Sequence, residues 1–351
     1  MNKFLLAGSG AAVTAVVLAG YFFVRAHHAS PTIKSIARST TGSNQPTLNP
    51  LSIAAMRQKS YPGSALTIEQ TLTPGVGYQQ YIASYLSEGL KIYGLLTIPD
   101  GKSPPGGWPV IIFDHGYIPP QVYRTTERYV AYVADLARNG YIVFKPDYRG
   151  NGKSQGQPEG AYYSPAYTTD VLNAVATLKE FSQANPNLIG MWGHSMGGNI
   201  ALRALVVDTK DIKAAVIWGG VVGSYNDIIN NWQHHVRYQP PESELTDRNR
   251  FRQQLFDTYG TPSTNPAFWQ SIDPTSYLAD VTIPIQLDTG GSDEEVPPAF
   301  SQELYQKLKA LGKTVEYYDY PGGDHNISPP NYELAMGRTI QFFNRYLKKA
   351  S

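Results

Sequence analysis

The sequence contains no cysteine, and this absence excludes disulfide bonds, cysteine nucleophiles and thiolate metal sites. It also has almost no excess charge, because 29 Lys and Arg residues balance 28 Asp and Glu residues to a formal net charge of +1. No basic cluster interleaved with aromatic residues occurs, so we expect no nucleic-acid partner. Internal repeats and long low-complexity tracts are absent as well.

The composition is that of a large folded protein. The 351 residues are 42% hydrophobic, which is enough for a sizeable core in one large domain or two smaller ones. The chain carries 25 tyrosines, 26 prolines and 32 glycines. This profile suits a loop-rich enzyme better than a helical bundle.

The amino-terminal segment differs from the rest of the chain. Residues 4–24 carry no charge and lie between Lys3 and Arg25. As a helix they would span about 30 Å, the thickness of one hydrocarbon core. We therefore predict that residues 1–25 are an uncleaved signal anchor, with the catalytic domain outside the cytoplasm. The alternatives are a cleaved signal peptide, which would make the protein secreted, and a buried helix.

Residues 26–64 are rich in Ser, Thr, Pro, Asn and Gln and are predicted to be a linker. A weakly apolar patch at residues 51–56 could form one helical turn. Residues 65–351 are then the catalytic domain. It begins with three strand-like runs separated by turn signals, at 66–72, 78–85 and 90–98, which favour antiparallel pairing.

From residue 109 onward, short apolar runs alternate with helical patterns. The predicted strands are 110–113, 141–144, 188–192, 214–218, 283–287 and 314–318; the predicted helices are 126–139, 169–181, 199–206, 300–311 and 332–347. This alternation predicts an α/β fold with a mostly parallel central sheet and helices on both faces. Its active site should lie at the carboxyl ends of the strands.

One long stretch, residues 220–281, interrupts the alternation. It contains too many aromatic residues for a disordered segment: Tyr225, Trp232, Phe251, Phe256, Tyr259, Phe268 and Trp269. Connections this long are usually functional or disordered. We predict a helical cap over the active site; the alternative is an insertion packed away from it.

The segment Gly193-His194-Ser195-Met196-Gly197 matches the G-x-S-x-G pattern of a nucleophile elbow. An apolar run precedes it and a helical pattern follows it, which is the strand–turn–helix context that such an elbow needs. Glycine at the flanking positions leaves room for a sharp turn. Ser195 is therefore the predicted nucleophile.

A serine nucleophile needs a base, and the base needs an orienting acid. Proteins with this elbow carry the acid and then the histidine downstream of the serine. Asp293 and His325 each follow a predicted strand, in glycine-rich loops, and complete the predicted triad. Other candidates for the acid are Asp288, Glu294, Glu295 and Asp324. Of the remaining histidines, His115 and His194 are expected to shape turns, His27 and His28 lie beside the apolar segment, and His234 and His235 lie in the cap.

The oxyanion of the reaction needs two fixed N–H donors. The residue after the nucleophile, Met196, supplies one. The loop after strand 110–113, Asp114-His115-Gly116-Tyr117, supplies the other through the Tyr117 N–H group. No cofactor and no metal is expected.

These motifs resemble those of the α/β hydrolases, specifically the catalytic domain of the prolyl-oligopeptidase-like branch and its related esterases. The resemblance covers roughly residues 66–347 and rests on residues 87–94, 114–116, 147–154, the elbow, 290–297 and the His325 loop. It implies the α/β-hydrolase fold and a serine hydrolase activity. Two departures favour an esterase: the residues before 66 are too few for a β-propeller, and Met196 stands where the peptidases tend to have an aromatic residue.

We therefore expect a serine hydrolase that cleaves apolar or aromatic carboxylic esters through an acyl-enzyme. The alternative is a serine exopeptidase or aminopeptidase of the prolyl-oligopeptidase type, for which Glu242 and Glu244 in the cap are a weak hint. A remote alternative is a non-catalytic, membrane-tethered binding protein. The expected partners are a small-molecule ester or short peptide as substrate, and the membrane through the amino-terminal segment.

Overall fold

The computed structural model describes residues 48–208, 210–232 and 242–348, and the side chains of 243–248 are not described. The predicted anchor at residues 1–25, the linker up to residue 47 and the histidines at 27, 28, 234 and 235 lie outside the described residues. Within the described ranges, no helix is both long enough and apolar enough to cross a membrane.

A nine-stranded sheet forms the centre of the fold. The strands are β1 Thr67–Thr71, β2 Tyr78–Ser87, β3 Leu90–Pro99, β4 Trp108–Asp114, β5 Ile142–Pro146, β6 Ala184–His194, β7 Ile212–Trp218, β8 Ile285–Gly290 and β9 Val315–Tyr320. Their spatial order is β1-β2-β3-β5-β4-β6-β7-β8-β9. The pairs β1–β2, β2–β3 and β3–β5 are antiparallel. The remaining pairs, β5–β4, β4–β6, β6–β7, β7–β8 and β8–β9, are parallel. The mostly parallel sheet and its antiparallel edge are thus confirmed.

Helices cover both faces of this sheet. The helices are α1 Ile53–Gln58, α2 Val130–Arg138, α3 Ala166–Lys179, α4 Met196–Val207, α5 Glu242–Tyr259, α6 Pro266–Ile272, α7 Pro298–Ala310 and α8 Tyr332–Leu347. Helices α1, α3, α4 and α7 contribute to one hydrophobic cluster, and α2 and α8 to a second one. The inner strands are buried on both sides, which explains their continuous apolar runs.

Helix α1 lies inside the stretch that was predicted to be a linker. Its residues Ile53 and Met56 are fully buried in the core. The Arg57 guanidinium donates to the Val206 main-chain oxygen at the end of α4 (Nη2···O 2.6 Å) and forms an ion pair with Asp280 at 2.7 Å. Helix α1 therefore packs with the core of the fold, although it precedes residue 65. The helix has only six residues, of which two are buried, and a pattern this short does not predict the packing.

The stretch between β7 and β8 contains several helical segments in its described parts. They are a π-helical turn at Asp227–Asn231, helices α5 and α6, and a 3₁₀ segment at Pro274–Asp280. Except for Trp232, the aromatic residues named above form a separate hydrophobic cluster with Tyr163, which comes from the loop before α3.

Helix α2 begins at Val130, later than the predicted start at residue 126. Arg128 and Tyr129 have left-handed backbone conformations, with φ of 59° and 55°. Two such residues in sequence cannot continue a right-handed helix, so the helix starts only after them. This turn places Tyr129 beside the carboxyl ends of β4 and β6.

Candidate active site

The sharp turn between β6 and α4 carries Ser195. Its backbone angles, φ 56° and ψ −120°, lie in a region that residues other than glycine rarely adopt. Its main-chain oxygen accepts from the Gly198 and Val221 N–H groups, both at 3.0 Å, and its N–H donates to the Trp218 oxygen at 3.1 Å. These bonds hold the strained turn in place, as a nucleophile elbow requires.

The glycines on either side of Ser195 are required by close contacts. A Cβ atom at Gly193 would lie 2.6 Å from the Gly197 oxygen, and one at Gly197 would lie 1.8 Å from the Asp114 oxygen. A side chain at Gly193 would therefore push α4 away from β6, and one at Gly197 would push α4 away from β4. Because helix α4 begins at Met196, its first N–H groups lie at this same turn.

Asp293 and His325 are hydrogen-bonded. The Nδ1–H group of His325 donates to Oδ2 of Asp293 at 2.7 Å, and both residues are buried. The other oxygen of Asp293 accepts from the main-chain N–H groups of Glu295 and Val296 at 2.8 and 2.9 Å. Burial alone would lower the pKa of His325, but the hydrogen bond and charge of Asp293 and the charges of Glu295 and Asp324 raise it above its ordinary value.

Ser195 and His325 line the same cleft, which encloses about 510 Å³ at the carboxyl ends of the strands. Glu295 lines it too, and its carboxylate lies 3.8 Å from Nε2 of His325. The structure thus brings Ser195 and His325 to the same cleft, and Asp293 is bonded to His325 from the buried side.

The other acids that were considered are placed differently. Asp288 is buried beneath the site, where it accepts from Gln286 and Tyr320 at 2.7 Å, and burial raises its pKa to about 7. Asp324 accepts from the Ser328 N–H group at 2.8 Å. Glu294 is exposed. In the described part of the chain, none of these three carboxylates forms a hydrogen bond with the His325 ring.

The loop after β4 approaches the elbow closely. A Cβ atom on Gly116 would lie 3.1 Å from Cβ of Ser195. The Nδ1–H group of His115 donates to the Gly116 oxygen at 2.7 Å. Because Gly116 C=O and Tyr117 N–H belong to one peptide unit and point in opposite directions, this bond also fixes the direction of the Tyr117 N–H group. Burial, with a smaller contribution from Lys145, lowers the pKa of His115 to about 3, so the ring stays neutral.

A second side chain, which no sequence motif indicates, also contacts this loop. The Gly116 N–H group donates to the Tyr129 hydroxyl group at 2.8 Å, and the same hydroxyl contacts Nδ1 of His194 at 2.8 Å. The Nε2 atom of His194 lies 3.0 Å from the main-chain oxygen of His325. His115 and His194 do shape the turns of the site, but through these side-chain contacts.

An apolar pocket opens beside the elbow. It is lined by aromatic side chains together with Met196, four small or proline residues and one carboxylate; the residues are Tyr117, Tyr162, Tyr163, Tyr167, Phe251, Pro120, Pro158, Gly160, Ala161 and Glu159. Phe251 belongs to α5, so the insertion does border the site. Most of the lining comes from the loop at 158–163 between β5 and α3, which carries no periodic pattern in the sequence.

Arg203 on α4 holds this loop in position. Its guanidinium donates to the main-chain oxygens of Ala161, Tyr162 and Ser164 at 2.7, 3.2 and 2.8 Å, and to the Tyr225 hydroxyl at 2.5 Å. The same helix therefore begins at the elbow and anchors the pocket wall. Among the described residues, no group of three His, Asp or Glu side chains is arranged to hold a metal ion.

The fold and the elbow together define the class: the chain is a serine hydrolase with the α/β-hydrolase fold. The family model of the serine aminopeptidases, S33, matches residues 110–246, which include the elbow and part of the insertion. The uncharacterized peptidase YtmA of Bacillus subtilis is 26% identical over 270 residues, which are 77% of this chain and 95% of the relative. A second B. subtilis peptidase, YuxL, is 27% identical, but the match covers only 37% of its length.

Solved structures agree on the fold. An acetyl xylan esterase from Paenibacillus sp. R4 superposes with a TM-score of 0.61 at 19% identity, over 84% of this chain and 92% of that one. The acylaminoacyl peptidase of Pyrococcus horikoshii gives a TM-score of 0.61 at 23% identity, over 78% of this chain but only 42% of the peptidase. The predicted resemblance to the prolyl-oligopeptidase-like branch and its related esterases is confirmed, and the non-catalytic alternative is set aside.

Proposed function

We propose that this chain is a carboxylesterase in which Ser195, Asp293 and His325 form the catalytic triad. The observation that carries the proposal is the pocket beside the elbow, whose lining is aromatic and almost entirely apolar. Such a lining binds an apolar or aromatic acyl or alcohol group and offers few partners to the polar main chain of a peptide. The acetyl xylan esterase with the same fold is in keeping with this choice.

The proposed reaction assigns one role to each of these residues. His325, oriented by its bond to Asp293, removes the proton of Ser195, and the Ser195 oxygen attacks the ester carbonyl carbon. The N–H groups of Tyr117 and Met196 stabilise the oxyanion. His325 then passes the proton to the leaving alcohol, and water, activated by His325, hydrolyses the acyl-enzyme. Losing one oxyanion donor typically costs about 100- to 1000-fold in rate.

A peptidase remains the second candidate because of Glu295. Its half-exposed carboxylate lies in the cleft at 3.8 Å from Nε2 of His325, where it could bind a substrate ammonium group. The matching family of serine aminopeptidases and the relative YtmA are consistent with this candidate. The other carboxylate considered for this role, that of Glu244 in the cap, lies outside the described residues.

Steady-state kinetics on the full chain and its Ser195→Ala variant would separate the two candidates. The panel contains p-nitrophenyl esters of graded length, methyl ferulate, and aminoacyl and dipeptidyl anilides. We expect ester hydrolysis that is lost in the variant, with inert anilides. Comparable turnover of the anilides would favour the peptidase, and anilide turnover without any ester turnover would overturn the esterase.

We also propose that residues 4–24 attach the enzyme to a membrane and that the catalytic part lies outside the cytoplasm, or is secreted after cleavage. The proposal rests on the uncharged run between Lys3 and Arg25 alone. Carbonate extraction of membranes and amino-terminal sequencing of the mature protein test it. A full-length chain in the soluble fraction would contradict it.

A further inference from the structure

Tyr129 has an unusual backbone conformation at a position next to the site. Both it and Arg128 are left-handed, although neither is glycine. Strained backbone of this kind persists only where the surroundings hold it, and it is concentrated at functional sites. At Tyr129 the strain has a visible result, because it directs the side chain from the start of α2 into the space between the loop after β4 and the elbow.

The hydroxyl group of Tyr129 is the centre of a hydrogen-bonded chain whose direction can be assigned. A carbonyl oxygen only accepts, so the Nε2 atom of His194 must carry the hydrogen that it donates to the His325 oxygen at 3.0 Å. The Nδ1 atom of His194 is then an acceptor, and Tyr129 donates to it at 2.8 Å. The same hydroxyl accepts from the Gly116 N–H group at 2.8 Å, so both of its roles are filled.

The protonation states agree with this direction. Burial, and then the nearby His325, lowers the pKa of His194 to about 3, which keeps its ring neutral. Burial raises the pKa of Tyr129 above its ordinary value, so its hydroxyl group stays protonated and can donate. The chain of hydrogen bonds therefore persists across the pH range in which the enzyme would work.

The chain connects three separate loops of the site. Gly116 lies in the loop after β4, His194 is the residue before Ser195, and the accepting oxygen belongs to His325. We infer that Tyr129 is a positioning residue, whose hydroxyl group works with His194 to hold the Gly116–Tyr117 peptide in the orientation that stabilises the oxyanion. This inference rests on the proposed roles of Ser195 and of the Tyr117 N–H group.

The orientation of that peptide depends on bonds on both sides of Gly116. His115 holds the Gly116 oxygen, and Tyr129 holds the Gly116 nitrogen. Glycine has no side chain to restrict rotation, so without the Tyr129 bond one of the two constraints is lost. The Tyr117 N–H group would then spend part of its time turned away from the oxyanion, which lowers the rate of bond formation and not the binding of the substrate.

The test compares the full-chain variants Tyr129→Phe and Tyr141→Phe. Phenylalanine at 129 keeps the ring contacts with Phe113 and His194, whose ring centroids lie 5.4 and 5.5 Å away. Tyr141 is the control: its ring is fully buried whereas that of Tyr129 is half-buried, and its hydroxyl donates to Asn344 at 2.8 Å, before β5 at the opposite end of the sheet. Two readouts are used: kcat and KM for an ester, and the rate at which a fluorophosphonate labels Ser195.

We expect Tyr129→Phe to lower kcat and the labelling rate by about 10- to 100-fold, less than the loss of an entire oxyanion donor. KM should stay within about threefold, since ground-state binding is kept. Tyr141→Phe should change kcat and the labelling rate by less than about twofold. Unfolding followed by circular dichroism shows whether the two variants are equally folded.

His194→Phe provides a second route if Tyr129→Phe folds poorly. Because the two residues act as one unit, the double variant should lose no more than the worse single variant. If the losses of the two single variants multiply in the double variant, or if Tyr129→Phe is labelled as fast as the wild type, the inference is overturned while the proposed function stands. A wild-type chain that is neither labelled nor active on any ester or anilide would overturn the proposed function, and the inference with it.

Discussion

Glu295 places a carboxylate oxygen 3.8 Å from Nε2 of His325, the ring nitrogen that is not bonded to Asp293. This relationship affects both the proton affinity of the base and the charge that a substrate meets in the cleft. Of the three carboxylates that raise the pKa of His325, Glu295 is the one that lines the cleft, because Asp293 is buried and Asp324 is not part of the cleft wall.

The first prediction concerns pH. His325 must be neutral to accept the Ser195 proton, and its pKa is raised, so activity is full at high pH and is lost as the pH falls through that pKa. We expect the acid limb of kcat/KM to lie above the ordinary histidine value of about 6.5. In Glu295→Gln the limb should move to lower pH. Glu303→Gln, at an exposed residue of α7, is the control. If the acid limb of Glu295→Gln lies at the same pH as that of the wild type, Glu295 does not raise the pKa of His325.

The second prediction concerns Asp293. In Asp293→Asn the amide can donate to Nδ1 of His325, which favours the ring tautomer that cannot accept the Ser195 proton. We expect kcat to fall by about 10⁴-fold, the loss known for the equivalent change in a serine protease, with little change in the unfolding temperature. Asp324→Asn serves as the comparison, because Asp324 contributes only charge to His325. Similar losses in both variants would refute the role of Asp293 as the orienting acid.

The third prediction concerns the pocket wall. Lysine in place of Arg203 keeps a charge but cannot bind three main-chain oxygens in the fork geometry. A displaced wall should raise KM for aromatic esters by about tenfold, because a displacement of ~1 Å can lower the reaction rate by about 100-fold. KM for acetate esters should change little. Arg57→Lys alters a guanidinium bound to the other end of α4 and should leave this selectivity unchanged. Equal effects on both ester classes would argue against the anchoring role.

The fourth prediction concerns stability. Ile53 is completely buried in the core although it precedes the predicted catalytic domain. Ile53→Ala should lower the free energy of unfolding by about 2–5 kcal/mol and leave kcat unaltered. Leu334→Ala, at a side chain that is 53% exposed, should stay within about 0.5 kcal/mol. Chemical denaturation of the two variants measures the difference, and an equally small change in both would mean that α1 packs loosely.

Much of the fold could be predicted from the sequence, because its strands and helices have periodic hydrophobic patterns. The alternation of buried strands and helices after residue 109 predicted the parallel sheet, and the elbow motif predicted the turn at Ser195. Asp293 and His325 could be chosen because each follows a strand, which places it at the same edge of the sheet. Their distance apart came only from the structure.

The missed parts are those that depend on contacts between distant segments. Tyr129 reaches His194 from 65 residues away, and the left-handed turn that directs it has no glycine to signal it. The pocket wall at 158–163 has no periodicity. Helix α1 is too short to show an amphipathic pattern, and its burial depends on a surface that the rest of the fold creates.

The anchoring of the pocket wall has a consequence for how this enzyme can change. Arg203 binds the loop through the main-chain oxygens of residues 161, 162 and 164, and Tyr225 adds a bond to the Tyr162 oxygen. None of these bonds uses a side chain of the loop. The residues that meet the substrate can therefore be exchanged while the wall keeps its position. Substitutions at pocket-lining positions of this loop would keep its main-chain bonds, while Tyr163 also packs in the cluster of the insertion.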